Sequence, residues 1–393
     1  MRFAVAGAQI QAVHWPISFF RVHSAQKTFN MTACVVEQAD VRDRNNVVEP
    51  SIHRRHTIQS RLASALDSEK PRVALVSAKL PTIFSPDSAP DLARELARTG
   101  FRVELLSSTD ETADDFDLAV FLIHLQDERG AILRMRDRDD RIPTVGWFWE
   151  NHHRVVENAA SAEAVDVVVP AHAYATSYLA NRHSLLSPAV ALCVTQWSKR
   201  EAATFFARMG LQERSERLYC GSCGLSTPER LSTLVDELIE GGNTGVYVPK
   251  EQEPFRTSAS NSAQRFEEWS SHKSSLCLPA GTELPTRLFD ALLTGQVPIV
   301  PGGVPDLNLV VPAALQKELP IIRLEDYSVR SVRKAQLAAL AAFERGGEAG
   351  LRRRHEYALN QHMMAARVET ILGMVRQISR RPVAPRRRPN GID

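Results

Sequence analysis

The sequence predicts an α/β protein made of two Rossmann-like domains facing across a cleft, and three observations predict it. From residue 71 onward, short apolar runs alternate with helical patterns. The run at 73–76 is apolar without interruption, as strands covered on both faces are. The chain of 393 residues exceeds the size of one hydrophobic core, so two domains are expected.

The first strand is expected at residues 72–77, where Val73-Ala74-Leu75-Val76 has no polar interruption. Leu92, Ala93, Leu96 and Ala97 then share helical faces, Gly100 stops that helix, and residues 101–106 form the next strand. Further strands follow at 117–123, 142–147 and 165–169. A helical connection around 196–211 precedes a second set: strand 217–220, helix 228–240, and strands 245–248, 274–278 and 296–300. Strands separated by helices imply parallel pairing with right-handed crossovers. The expected division is a first Rossmann-like domain over 71–195 and a second over 196–378, with an extension at 1–70 and a basic tail at 379–393. Residues 1–70 show no sustained periodicity and read as an extension of uncertain structure.

Composition narrows the function classes. Hydrophobic residues make up 44% and charged residues 24%, an ordinary globular balance. Lys+Arg 48 against Asp+Glu 46 leaves a net charge of +2, which gives no field drawing the whole chain to nucleic acid. The basic, proline-bearing run at 380–388 reads as a solvated tail. Its alternative reading is a peripheral contact with anionic lipid at the inner membrane face. Five cysteines without framework spacing argue for a reducing, cytoplasmic setting. Cys220 and Cys223 have redox spacing but do not open a βαβ unit, so redox or metal chemistry is the weaker reading there. Gln9 and Gln11 interrupt the apolar start too early for a signal peptide, and no run spans a bilayer.

The stretch 274–300 carries the most chemistry: strand, glycine-bearing loop, helix, tight turn, strand. Such a loop presents backbone N–H groups and a helix N-terminus to an anion. Arg287, in the first turn, adds a bidentate clamp suited to a diphosphate. Asp290 lies three residues on, near the same face, where ribose hydroxyls are its expected partners. The bland alternative is an ordinary crossover whose arginine makes a surface salt bridge.

This segment resembles the donor-binding signature of GT-B glycosyltransferases, particularly the exostosin-like pattern. Pro279, Gly281, Thr286 with Arg287, Asp290 with Ala291, and Gly295 with Pro298 and Ile299 stand at its places. The match covers about thirty residues; over the remainder from Pro71 only the rhythm agrees. Thr286 replaces the usual serine and Asp290 the usual glutamate. Retaining enzymes of the other large group carry two glutamates eight positions apart; here Glu283 and Asp290 are seven apart and Thr282 holds the expected place, which leans toward inversion.

The resemblance implies a glycosyltransferase that moves a sugar, of hexosyl type, from a nucleotide diphosphate sugar to a saccharide or other hydroxyl acceptor. It implies Gly281, Thr286, Arg287 and Asp290 as the donor site. No cofactor and no metal are then required, since a helix end and arginine replace the cation. A base is needed on the acceptor side, and Glu150, His152 and His153 stand just past a strand end. Trp147 and Trp149 are candidates to stack on sugar rings, with core packing as the strong alternative. His124, His172 and Tyr174 follow other strands and are weaker candidates. The softened Thr286 and Asp290 keep open a non-catalytic nucleotide- or glycan-binding module. A nicotinamide oxidoreductase is disfavoured, because Ser77-Ala78-Lys79-Leu80-Pro81 stands where a dinucleotide fingerprint would follow the first strand.

Overall fold

A computed structural model describes residues 50–77, 88–106, 116–123, 127–149, 155–194, 196–220, 233–234, 237–238, 246–247, 262–279, 283–304 and 306–380. Glu150, His152, His153 and Gly281 lie outside them, as do His124, Cys223, most of the helix expected at 228–240 and the tail from residue 381.

The first unit opens with helix α1 (Ile52–Ala65), then β1 (Arg72–Val76), α2 (Ser88–Leu96), β2 (Arg102–Leu106), β3 (Leu118–Ile123), α3 (Asp127–Arg138), β4 (Thr144–Phe148), α4 (Val155–Ala162), β5 (Val167–Pro170), α5 (Thr176–Leu179) and β6 (Leu185–Leu186). Its strands pair in the order β2-β1-β3-β4-β5-β6, parallel throughout. Each expected strand is present, and every residue of β3 and β4 is buried, which is why those runs read as apolar rather than alternating. Gly100 ends the α2 region with φ 80°, a left-handed position that glycine adopts without a Cβ penalty.

The second unit comprises α6 (Lys199–Met209), β7 (Ser215–Tyr219), β8 (Val246–Tyr247), α7 (Ser262–Ser270), β9 (His272–Leu276), α8 (Arg287–Leu293), β10 (Val297–Pro301), α9 (Leu307–Val310), α10 (Ala313–Glu318), β11 (Ile322–Leu324) and α11 (Val329–Gln361). Its strands pair, parallel again, in the order β11-β10-β9-β7-β8. Counted from its first strand, this sheet repeats the order of the first five strands of the other unit. The fold class is therefore the one expected: two Rossmann-like α/β units. In each sheet the direction of winding reverses beside the first strand, between β1 and β3 and between β7 and β9, and ligands of such sheets bind at the carboxyl ends there.

Two elements depart from the expected division. Helix α1 forms where no periodicity was evident, because only Ile58 and Leu62 of its 14 residues are buried, too few apolar positions to leave a pattern. Its polar face is held instead. Arg61 and Arg54 donate to the buried Asp166 at 3.0 and 3.4 Å, and the Thr144 backbone N–H donates to the same carboxylate at 3.0 Å. The final helix, α12 (Met364–Arg380), was expected with the second unit. Its buried Met364, Val368, Ile371, Leu372 and Val375 pack in the core of the first, with Ile58, Leu62 and Leu92. The chain thus crosses between the units twice, at residues 194–198 and 361–364, and the crossings touch: Val194 N–H donates to the His362 carbonyl at 2.8 Å and bridges to Met363.

Asp166→Ala should leave two arginines and a backbone donor without their buried carboxylate, and removing one partner of such a cluster costs about 3–5 kcal/mol. Urea unfolding checks this: the midpoint should fall with little change of slope.

Candidate functional site

The strand β9 ends at the reversal point of the second sheet, and the segment after it leads into α8. Every residue of α8 after the first is buried: Leu288, Phe289, Asp290, Ala291, Leu292 and Leu293. Five apolar side chains buried at about 1.5–3 kcal/mol for each large one fix the helix in the core, so its N-terminal end has one position relative to the sheet.

The C-terminal end is held as firmly. Gly295 has φ 84°. Its N–H donates to the Leu292 carbonyl at 3.0 Å, and that of Gln296 to the Ala291 carbonyl at 2.8 Å, the paired bonds of a Schellman stop. The carbonyls beyond them take cationic or ring donors. Arg214 Nη2 donates to Thr294 O at 2.9 Å and to Gly210 O at 2.7 Å. Arg354 Nε donates to Gly295 O at 2.9 Å, and His355 Nδ1 to Leu293 O at 2.5 Å. Burial pushes the Arg214 guanidinium down to about 9, with the Arg354 charge adding to it, and the Arg354 guanidinium down to about 10. Both remain cations at neutral pH, where a helix C-terminus favours positive charge.

At the N-terminal end, Thr286 is the cap residue but its side chain makes no capping bond. Arg287 is half-buried, and among the described residues its guanidinium has neither a hydrogen bond nor an ion pair. An arginine held beside a parallel-sheet reversal without a protein acceptor has its donors free for an anion. The bland expectation of a surface salt bridge is not met among the described residues.

Asp290 is placed differently from the expectation of an open carboxylate. It is 3% exposed. Its Oδ2 accepts from Gln196 Nε2 at 2.7 Å, while Oδ1 has no hydrogen-bond partner. Burial pushes its pKa up to about 7, against the opposing effects of the Gln196 bond and the Arg287 and Arg265 charges. A carboxyl group so placed changes charge near neutral pH and offers one uncommitted oxygen. Gln196 and Arg265 were not singled out by the sequence, since Gln196 lies 94 positions from its partner and nothing local announces the pairing.

In the first unit, Trp147 and Trp149 are not available to stack on a ligand. They are 0% and 4% exposed and meet edge to face at 4.8 Å in the core, with Trp147 Nε1 donating to Val190 O at 2.9 Å. An apolar strand covered on both faces places alternate side chains in opposite core layers, so aromatic rings on it are packing groups first. The three base candidates, Glu150, His152 and His153, follow directly on Trp149, outside the described residues. Among the further histidines, His172 is buried against Tyr174, its ring stacked at 5.5 Å, and lies 4.0 Å from the carboxylate of Asp306 in the second unit. Cys220, the first cysteine of the C-x-x-C spacing, is buried, and Cys223 lies outside the described residues. Among the described residues no group of His, Cys, Asp and Glu is arranged to hold a metal ion, and no helix is long and apolar enough to cross a membrane.

No protein-family model and no curated protein matches the chain. Solved structures do. Sucrose-phosphate synthase from Thermosynechococcus elongatus is similar at 12% identity, covering 78% of this chain and 100% of that one, with a TM-score of 0.49. An alpha1,3-fucosyltransferase is similar at 11% identity over 81% and 95% of the two chains, TM-score 0.41. A Thermobaculum terrenum O-GlcNAc transferase mutant is similar at 14% identity over 90% and 76%, TM-score 0.41. The fold class rests on the two parallel sheets themselves.

The raised pKa of Asp290 has a measurable consequence. Between the ordinary aspartate value near 4 and about 7, the unfolded chain has released a proton that the folded chain still holds. The contribution of this group to stability therefore falls as pH rises through that window and levels off above it. Asp290→Asn should remove the fall, so the stability of the wild type relative to that variant, from urea unfolding at pH 5 to 8, should decline toward pH 7. The buried histidines are common to both chains and cancel in the difference.

Proposed function

We propose that this chain transfers a glycosyl group from a nucleotide diphosphate sugar to a hydroxyl of a saccharide or other glycan, with inversion and without a metal ion. The observation that carries the reading is the uncommitted guanidinium of Arg287, set on a buried helix at the carboxyl-end reversal of a parallel sheet. In this reading the bond from the anomeric carbon to the diphosphate oxygen breaks, and the electron pair leaves with the diphosphate against Arg287. The acceptor hydroxyl forms the new bond on the opposite face and gives its proton to a base drawn from Glu150, His152 or His153. Stabilising the departing charge is the main catalytic contribution, and Arg287 takes the part a divalent cation would otherwise have. The exostosin-like order of Gly281, Thr286, Arg287 and Asp290 supports a donor site. The reaction is placed in the cytoplasm, with the basic tail as a peripheral contact to anionic lipid at the inner membrane face.

A thermal-shift series with UDP, GDP, CDP and dTDP tests the donor site. A ligand at one hundred times its Kd stabilises by about 2.7 kcal/mol. One of the four should raise the midpoint, and Arg287→Ala should abolish that rise while leaving the nucleotide-free midpoint near the wild-type value. An equal rise in the variant would overturn the placement. Binding that never yields free nucleoside diphosphate from matching donors across a panel of saccharide acceptors would instead favour a non-catalytic binding module.

A further inference from the structure

Asp306 is the one non-glycine residue among those described with a positive φ, at 61°. Aspartate enters this left-handed region more readily than most residues, yet the position is costly for any L side chain and calls for a compensating contact. It is also the N-cap residue of α9, a place where an aspartate carboxylate ordinarily accepts from the backbone of its own helix. Here the side chain makes no capping bond. Its Oδ2 reaches across to the first unit instead, where it accepts the backbone N–H of Ala173 at 2.7 Å, with the His172 ring 4.0 Å away. Both local preferences of this aspartate are thus set aside for one contact between units.

The location gives that contact its meaning. Ala173 follows β5 of the first sheet and Asp306 follows β10 of the second, so each lies beyond the carboxyl end of a strand. These are the edges at which parallel sheets bind ligands. The carboxylate side chain is 8% exposed and that of His172 1%, and burial raises the Asp306 pKa, with the Ala173 hydrogen bond opposing the rise. The two chain crossings, paired through Val194, His362 and Met363, form a short double connection between the units. A hydrogen bond between the two strand-end edges then acts on the angle between them.

We infer that Asp306 is a latch: its carboxylate on the Ala173 amide holds the two units closed at their ligand-binding edges, and its release lets them part. The left-handed backbone at 306 is the strain the latch sustains, and parting the units frees the chain to relax it.

Three variants separate the backbone from the carboxylate. Asp306→Gly removes the acceptor and tolerates the positive φ. Asp306→Asn keeps an acceptor oxygen and also tolerates the φ. Asp306→Ala loses both. In the full-length chain, hydrogen exchange at the Ala173 amide should accelerate at least about tenfold in Asp306→Gly and Asp306→Ala and stay near the wild-type rate in Asp306→Asn. The amides of Trp149 and Ser187, bonded within the first sheet, should be unchanged in all three. Solution scattering should show a larger radius of gyration for Asp306→Gly. Wild-type protection of Ala173 in Asp306→Gly would overturn the inference. So would lost protection there with an unchanged radius, or an equal acceleration at the reference amides, which would make the residue a determinant of folding alone.

Discussion

The clamp on the carboxyl end of α8 is the constraint from which the candidate site follows. A short helix has little stability of its own, and α8 has only 7 residues. Arg214, Arg354 and His355 saturate the carbonyls that the helix and its Gly295 stop leave open. They come from two places distant in sequence, the turn after α6 and the second half of α11, so the helix is locked to the unit as a whole. Unpaired buried carbonyls would each cost about 1–3 kcal/mol; with them paired, the N-terminal end has one fixed position. Arg287 can therefore be held at the sheet reversal without a partner of its own.

The charge arrangement on this helix is graded from one end to the other. Buried cations sit at its C-terminal carbonyls, where the dipole favours them. At the other end Arg287 and Thr286 are half-buried, while Asp290, mid-helix, is taken out of solvent and tied by Gln196. That tie is made by the chain at the point where it enters the second unit. It links the titrating carboxyl group to the same crossing that pairs with His362, whose ring stacks on Phe289 of α8 at 4.0 Å. The donor-site candidates and the connection between units are thus in direct contact; the units are joined further by the Arg200–Asp91 ion pair and, at the strand ends, by the Asp306 contact.

Expectation and structure part company where partners are far apart in the chain. Trp147 and Trp149 were candidates to stack on sugar rings, with core packing as the strong alternative, and the packing of the first sheet put both inside. Arg287 forms no ion pair among the described residues, although its charge acts on the buried Asp290. Helix α1 left no periodic trace because a polar cluster around Asp166 anchors it rather than an apolar stripe. Helix α12 has a strong apolar stripe, but a stripe does not say which core it enters.

By itself the sequence determined the strands, the parallel α/β class, the stop at Gly295 and the candidacy of Arg287. Each of these follows from a short window: an uninterrupted apolar run, a glycine after a helix, a cation in a first turn. The tertiary structure alone decided that Asp290 is buried and paired with Gln196, that α12 returns to the first unit, and that Asp306 serves Ala173 rather than its own helix. Those outcomes depend on desolvation and on hydrogen bonds between residues about a hundred positions apart, and neither leaves a local pattern for a sequence to display.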